Sequence, residues 1–147
     1  MPTLDYCSTV WGGRYEFHDT ALDKLLKRGA RICLGCPYLT PSADMFESLK
    51  WLPYSKRLLY KKGVLVYKCL NSLSPNYMTD LFSHFDNNRV TRQNTNITLK
   101  VPLAKTKYLS EGFSITGAKM WNNLPAHLRV IDSVSVFKAD LFKHLAQ

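Results

Sequence analysis

The last third of the chain constrains the fold most, because short helical patterns there are interrupted by a proline. Ile115, Ala118 and Trp121 recur at helical spacing. Ser114 precedes most of this pattern and is predicted to cap its helix. The Leu124-Pro125 step then ends the helix, since proline lacks the amide that the next turn needs.

A second helical pattern follows this break and runs to the end of the chain. Asp132 or Ser133 is predicted to cap it. Its apolar positions recur every three or four residues and are Val134, Phe137, Leu141 and Leu145. The sequence thus predicts two helices separated by a sharp turn.

The rest of the sequence predicts a mainly α chain built from helical hairpins. Apolar periodicity and helix-start signals place the further helices over Thr20 to Cys33, Ser42 to Leu49, Tyr54 to Leu73 and Asn76 to Phe85. Gly63 is a weak point, costing roughly 1 kcal/mol against alanine unless a neighbour packs closely there.

A short irregular or β segment is expected around residues 97–113. Residues 86–98 contain four asparagines and few apolar side chains, which favours a loop. Ile97, Leu99 and Val101 then alternate with other residues, as in a half-buried edge strand that Pro102 ends. A small hairpin between this strand and Tyr108 to Phe113 stays open as an alternative.

The predicted helix over Thr20 to Cys33 has an apolar and a basic side. Its apolar side consists of Leu22, Leu25, Leu26, Gly29, Ile32 and Cys33. Its basic side consists of Lys24, Lys27, Arg28 and Arg31. Side chains spaced by three and four residues share a helix face, so the four cations form one stripe.

Positive charge is also concentrated elsewhere in the sequence. The 147 residues carry 20 Lys and Arg against 11 Asp and Glu, a formal charge of +9. Two acid-free windows, between Glu47 and Asp80 and between Asp86 and Glu111, hold many of these cations. Such windows suit a polyphosphate, because cations that neutralise phosphates release condensed counterions. A solvated basic face that binds nothing is the alternative.

Several sequence segments also occur together, in the same order, in a known family. They are Leu4-Asp5-Tyr6-Cys7-Ser8 with Val10-Trp11-Gly12, Leu25 to Gly35, Leu49 to Pro53 with Arg57, Tyr67 to Asn71, Leu73 to Tyr77, Val101-Pro102, and Phe113 to Leu145 around Trp121. Nearly the whole chain resembles the C-terminal region, comprising the thumb edge and the post-thumb region, of reverse transcriptases from non-LTR retrotransposons of the jockey type. The resemblance implies that residues 1–36 are the remnant of a thumb-like helical segment and residues 37–147 a helical C-terminal region.

The family's chemistry depends on residues that this sequence lacks. The resemblance implies a parent enzyme that is an RNA-directed DNA polymerase and uses two Mg²⁺ ions held by carboxylates, including an Asp-Asp pair. No Asp-Asp pair occurs here, and Asp5 is predicted to be structural. We expect the fingers and palm to lie upstream of Met1. The chain is therefore expected to be an inactive fragment of a transposable element, with no catalytic residue and no cofactor of its own.

The resemblance and the charge together predict nucleic-acid binding. The predicted partners are RNA or an RNA-DNA duplex, together with the upstream polymerase domains. The residues predicted to grip the nucleic acid are Lys24, Lys27, Arg28, Arg31, Lys56, Arg57, Lys61, Lys62 and Lys68. The alternative is a non-catalytic helical protein-protein interaction module whose basic surface is merely solvated and whose Trp and Phe side chains dock a partner.

Metal binding and membrane insertion are disfavoured. Cys33 and Cys36 have the spacing of zinc ligands, but no second close pair of ligands accompanies them, so unpaired thiols and no metal site are predicted. No apolar run approaches the roughly 20 residues of a membrane span. A cytoplasmic or nuclear location is expected. Trp11, Trp51 and Trp121 lie among apolar residues, which favours core packing over base stacking.

Overall fold

The computed structural model describes residues 5–13, 16–84 and 98–146, and helices dominate them. The helices are α1 (Ser8–Trp11), α2 (Glu16–Leu34), α3 (Ser42–Leu49), α4 (Tyr54–Leu70), α5 (Asn76–Thr79), α6 (Lys107–Ser110), α7 (Phe113–Asn123), α8 (Ala126–Arg129) and α9 (Val134–Ala146). The predicted mainly α class is confirmed.

The chain divides into two compact units, and the division falls within α4, between Leu59 and Tyr60. Helices α2 and α3, which lie on either side of the boundary predicted after residue 36, pack against each other in the first unit. The structure therefore places its division further along the chain. The assignment of residues 1–36 to a thumb-like segment stays a prediction.

The first unit has a small core between α2 and α3. Leu26 and Ala30 of α2 are buried against Met45 and Phe46 of α3, and Trp51 packs on them from the segment after α3. Helix α3 has the bounds that the sequence predicts. It ends where Lys50 adopts a left-handed conformation, φ 52°, and the Trp51 amide bonds the Phe46 carbonyl at 2.8 Å.

The apolar side predicted for α2 is wider than the side that is buried. Leu26 is 1% exposed, whereas Leu25 is 57% and Ile32 75% exposed, and Cys33 is also exposed. Leu25, Ile32 and Cys33 therefore belong to the apolar side predicted from the sequence but not to the face that is buried. In this unit α2 buries its apolar side chains mainly against α3, so a narrow stripe suffices.

The second unit has a larger core, built around three aromatic rings. The Tyr67 ring of α4 stacks on Phe137 of α9, with ring centroids 4.3 Å apart, and Trp121 of α7 lies beside both. The Tyr67 hydroxyl donates a hydrogen bond of 2.8 Å to the carbonyl of Ile131. Trp121 is 3% exposed, so its predicted core position is confirmed.

Two glycines allow close packing inside the second unit. A Cβ added at Gly63 would lie 2.7 Å from Met120 Cε and 2.9 Å from Leu141 Cδ2. One added at Gly117 would lie 3.0 Å from Val66 Cγ2. Gly63, the predicted weak point of α4, is thus where side chains of α7 and α9 pack closely against the helix. This close packing offsets the low helix propensity of glycine.

The β segment is reduced to a single bridge among the described residues, since Leu99 pairs with His84 in antiparallel fashion. Ile97, one of the three apolar positions of the predicted strand, lies outside the described part. The Asn122 side chain makes two hydrogen bonds to the Leu99 backbone. Its Oδ1 accepts from the Leu99 amide and its Nδ2 donates to the Leu99 carbonyl, each at 2.9 Å. The alternative of a hairpin with Tyr108 to Phe113 is not what forms, because α6 occupies Lys107–Ser110 with Thr106 as its side-chain cap.

Helix ends in the second unit follow the sequence in part. Helix α7 ends at Leu124 before Pro125, as predicted, but Gly112 rather than Ser114 is its N-cap residue. The apolar stripe of α9 is confirmed, with Phe137 and Leu141 fully buried. Helix α4 stops three residues before the predicted Leu73, and the Asn71 side chain bonds its Tyr67 carbonyl at 2.9 Å.

Helix α5 is also shorter than predicted, ending at Thr79. The far end of the predicted range, Phe85, lies outside the described residues. Across the described part of the chain no helix is both long and apolar enough to cross a bilayer.

Candidate nucleic-acid interface

The outer face of α2 carries two cations that the fold leaves unpaired. Lys24 and Arg28 are one helical turn apart, and both side chains are exposed. Within the described part of the chain, neither has an acidic partner at ion-pair distance. The face opposite them contains Leu26 and Ala30, which anchor the helix to the core.

The other two cations of the predicted stripe are held by neighbours. The Lys27 ammonium lies 2.6 Å from Oδ2 of Asp23, and Oδ1 of the same carboxylate accepts a hydrogen bond of 3.4 Å from the Tyr54 amide. The Arg31 guanidinium lies over the Tyr38 ring, 4.9 Å from its centroid. The structure therefore divides the stripe into an unpaired pair, Lys24 and Arg28, and a partnered pair, Lys27 and Arg31.

Two of the exposed aromatic side chains of the first unit lie on α2 or just after it. Phe17, in the first turn of α2, is 80% exposed and meets His18 ring edge to face at 5.6 Å. Tyr38, after the end of α2, is 81% exposed apart from its contact with Arg31. Tyr6 of the same unit is 77% exposed as well, so exposure alone does not identify a binding site. Phe17 and Tyr38 are of interest because they lie on, or just after, the helix that carries Lys24 and Arg28.

The cations of α4 in the first unit differ in their availability. Arg57 forms a two-point ion pair with Asp5, in which its Nε donates to Oδ1 at 2.7 Å. Hydrogen bonding to Asp5 is the main cause that raises the pKa of Arg57 above its ordinary value. Lys56 is half-buried. The predicted phosphate contact of Arg57 would have to compete with this ion pair.

The cations that α4 contributes to the second unit are less exposed than Lys24. Lys62 is 8% exposed, which leaves its side chain little surface for a phosphate. Lys61 and Lys68 are half-buried, and Lys61 has an interaction of its own within the protein. Of the nine predicted residues, the structure leaves Lys24 and Arg28 the most accessible.

The Asp5-Arg57 pair agrees with the structural role predicted for Asp5. It joins two segments that are 52 positions apart in the chain. Tyr54 lies close by with its hydroxyl buried and without a hydrogen-bond partner. Burial, followed by the negative charges of Asp19 and Asp5, raises the pKa of Tyr54 to about 12.

The cysteines and other potential ligands do not converge in the described structure. Cys33 is exposed, Cys36 is half-buried, and both are free thiols. Among the described residues, no three His, Cys, Asp or Glu side chains are grouped so that they could hold a metal ion.

The second unit contains a cleft of about 260 Å³ near the ends of α4 and α8. Its lining residues are Leu70, Asn71, His84, Trp121, Arg129, Val130, Ile131 and Asp132. The Nε atom of Arg129 is buried and has no hydrogen-bond partner in the structure. The cleft is small for a ligand pocket, since such pockets commonly occupy roughly 300 to 1,000 Å³.

Sequence reasoning selected the cations but missed Phe17 and Tyr38. A signal was present, because Phe17, Lys24 and Arg31 are spaced by seven residues, and a seven-residue spacing keeps side chains on nearly the same side of a helix. Tyr38 lies outside α2 and its contact with Arg31 depends on the turn after Leu34, so no periodicity could reveal it.

Comparisons with protein-family models, with curated proteins and with solved structures found no significant match for this chain.

Proposed function

We propose that this chain binds RNA or an RNA-DNA duplex as a non-catalytic helical piece of a non-LTR retrotransposon reverse transcriptase. The observation that carries the binding proposal is the exposed, unpaired pair of cations on α2, Lys24 and Arg28. The resemblance of the ordered sequence segments to that family supports the parentage. The parent's reaction would be RNA-directed DNA synthesis with Mg²⁺.

The physical argument rests on what each cation already contacts. Lys27 and Arg57 are neutralised by carboxylates within the first unit, so a phosphate would have to displace Asp23 or Asp5. Lys24 and Arg28 face no such competition from the described residues. Contact with phosphates is therefore least costly at Lys24 and Arg28, and it releases counterions without reading sequence.

Charge reversal at these two positions tests the binding proposal. We expect Lys24→Glu with Arg28→Glu to weaken binding to unrelated RNA and RNA-DNA sequences about equally. The slope of log affinity against log salt should become shallower by roughly 1 to 2 units. Fluorescence anisotropy with labelled oligonucleotides across a salt series measures both quantities.

A matched control distinguishes binding at Lys24 and Arg28 from an effect of overall net charge. Lys119→Glu with Lys143→Glu makes the same change in formal charge at exposed positions of α7 and α9. If both double variants lose affinity equally, only net charge matters and the assignment to α2 is wrong. If the folded wild-type chain binds neither nucleic acid at low salt, the binding proposal fails.

Primer extension tests the non-catalytic part of the proposal. We expect no extension of an annealed primer by the purified chain with Mg²⁺ or Mn²⁺, because the paired carboxylates of the parent chemistry are absent from the sequence. Metal-dependent extension by a pure preparation would overturn this part of the proposal.

A protein-protein interaction module is the second candidate function. Leu25 and Ile32 are largely exposed on the same side of α2 as Arg28, and an amphipathic partner helix with acidic flanks would complement that surface. This candidate predicts that Leu25→Ser with Ile32→Ser leaves nucleic-acid affinity unchanged but abolishes pull-down of an acidic amphipathic peptide. The nucleic-acid proposal predicts no specific peptide binding.

A further inference from the structure

We propose that the α2 surface prefers single-stranded nucleic acid, with bases stacked on Tyr38 and Phe17 and phosphates held by Lys24 and Arg28. This inference rests on the proposed binding function and specifies its substrate class. It concerns the first unit alone. It applies to RNA and DNA strands alike, because both present base faces and phosphates.

Four side chains form a row along α2, with Tyr38 lying against the last of them, and they are Phe17, Lys24, Arg28 and Arg31. Phe17 and Arg31 are fourteen residues apart, just under four helical turns, so they lie on nearly the same side of α2. At 1.5 Å per residue the row extends about 21 Å along the axis. Lys24 lies midway between them, and Arg28 lies between Lys24 and Arg31.

Tyr38 has the features of a stacking platform at one end of the row. Arg31 covers one region of its ring at 4.9 Å from the centroid, yet the side chain remains 81% exposed. A guanidinium held against an aromatic ring restricts the ring's rotation, so less conformational entropy is lost when a base stacks on the open side. The stacked base would then complete a base, ring and guanidinium sandwich.

Phe17 offers a second ring at the other end of the row. Its edge-to-face contact with His18 at 5.6 Å supports the ring from one side while leaving 80% of the side chain exposed. The acidic residues described on α2, Asp19 and Asp23, are half-buried toward the core side of the helix. Over residues 17–34 of α2, a polyanion following the row would therefore meet rings and cations without a described carboxylate between them.

This arrangement distinguishes a single strand from a duplex. Bases in a duplex are paired and stacked on each other, so their faces cannot reach Tyr38 or Phe17, whereas an unpaired strand presents them. Phosphates are present in both forms and would contact Lys24 and Arg28 in either. The cations should thus contribute to both affinities and the rings to single-strand affinity alone.

The test compares one labelled RNA strand with the same strand annealed to its DNA or RNA complement. We expect wild type to bind the free strand more tightly. Phe17→Ala with Tyr38→Ala should weaken single-strand binding by roughly 10-fold or more and leave duplex binding within about 2-fold. Tyr38→Phe should retain wild-type affinity, and Tyr77→Ala, which removes an exposed ring from the second unit, should have no effect.

The outcomes separate this inference from the proposed function. If the Phe17 and Tyr38 double variant binds both forms like wild type, or loses both equally, the stacking platform is overturned. If wild type prefers the duplex, it is overturned as well. The proposed function is judged independently by the Lys24 and Arg28 double variant, since a salt-dependent loss there stands whichever strand form is preferred. Circular dichroism of each variant confirms that the exposed substitutions leave the helices intact.

Discussion

In the second unit Tyr67 and Trp121 are almost completely buried, whereas Phe17 and Tyr38 of the first unit are about four-fifths exposed. The buried pair packs with Phe137 in the core of the second unit, and the exposed pair lies at the start of α2 and just after its end. Burial therefore assigns Tyr67 and Trp121 to packing, and exposure leaves Phe17 and Tyr38 accessible to a ligand.

The charged residues show a parallel contrast. Arg57 forms an ion pair with Asp5, while Lys24 and Arg28 are exposed and unpaired among the described residues. We expect changes at the buried or paired residues to alter stability, and changes at the exposed, unpaired residues to alter binding only. Substitutions at buried or paired positions test the stability side, from the largest expected effect to the smallest.

Trp121→Ala should have the largest effect, because it removes a buried ring that contacts both Tyr67 and Phe137. We expect a loss of about 3 to 5 kcal/mol in unfolding free energy, enough to unfold a marginal domain. Urea denaturation followed by circular dichroism measures it. The exposed Tyr77→Ala in the same unit is the control, and similar losses for both would mean that Trp121 is not a core residue.

Asp5→Ala should have the next largest effect, because it leaves the half-buried Arg57 guanidinium without its carboxylate. We expect a loss of about 1.5 to 3 kcal/mol, the usual range for hydrogen bonds to charged groups. A double-mutant cycle with Arg57→Ala measures the coupling by urea denaturation. Coupling near zero would show that the pair does not fasten the N-terminal segment, and Arg57 would then be available for phosphates.

Asn122→Ala should cost less, about 1 to 2 kcal/mol, since two neutral hydrogen bonds to the Leu99 backbone are lost. Amide hydrogen exchange at Leu99 should become faster in the same variant. Asn123→Ala, one residue further and exposed, is the matched control. Unchanged exchange at Leu99 would contradict the role assigned to Asn122.

Tyr54→Phe should have the smallest effect at neutral pH, because the hydroxyl that it removes is buried and unpartnered. Its effect should depend on pH. The pKa of Tyr54 is raised from 10.0 in the unfolded chain to about 12 in the fold, so the unfolded state loses its proton first. Wild type should therefore lose stability as pH rises from 10.0 through about 12, and the variant should lose less of it.

The measurement is the urea midpoint of wild type and of the variant at each pH in that range. The difference between the two midpoints removes the effect of titrating groups that both proteins share. A difference that stays constant with pH would show that the Tyr54 pKa is not raised in the fold.

Local sequence signals determined much of the helical framework. Two prolines and the apolar periodicity specify the start of α3 after Pro41 and the end of α7 before Pro125, because the helical period and the missing proline amide act within one or two turns. The stripe of α9 was readable for the same reason. Signals of this kind also predicted the mainly α class.

The tertiary structure alone decided which surface residues are available. Arg57 is paired because Asp5 reaches it across 52 positions, and Leu25 and Ile32 are exposed because α3 covers only one side of α2. Asn122 holds Leu99 across 23 positions. Such contacts depend on which segments meet in space, and neither charge counts nor helical spacing contains that information. The sequence by itself therefore determined that α2 is basic, and only the tertiary structure separated unpaired Lys24 and Arg28 from partnered Lys27 and Arg31.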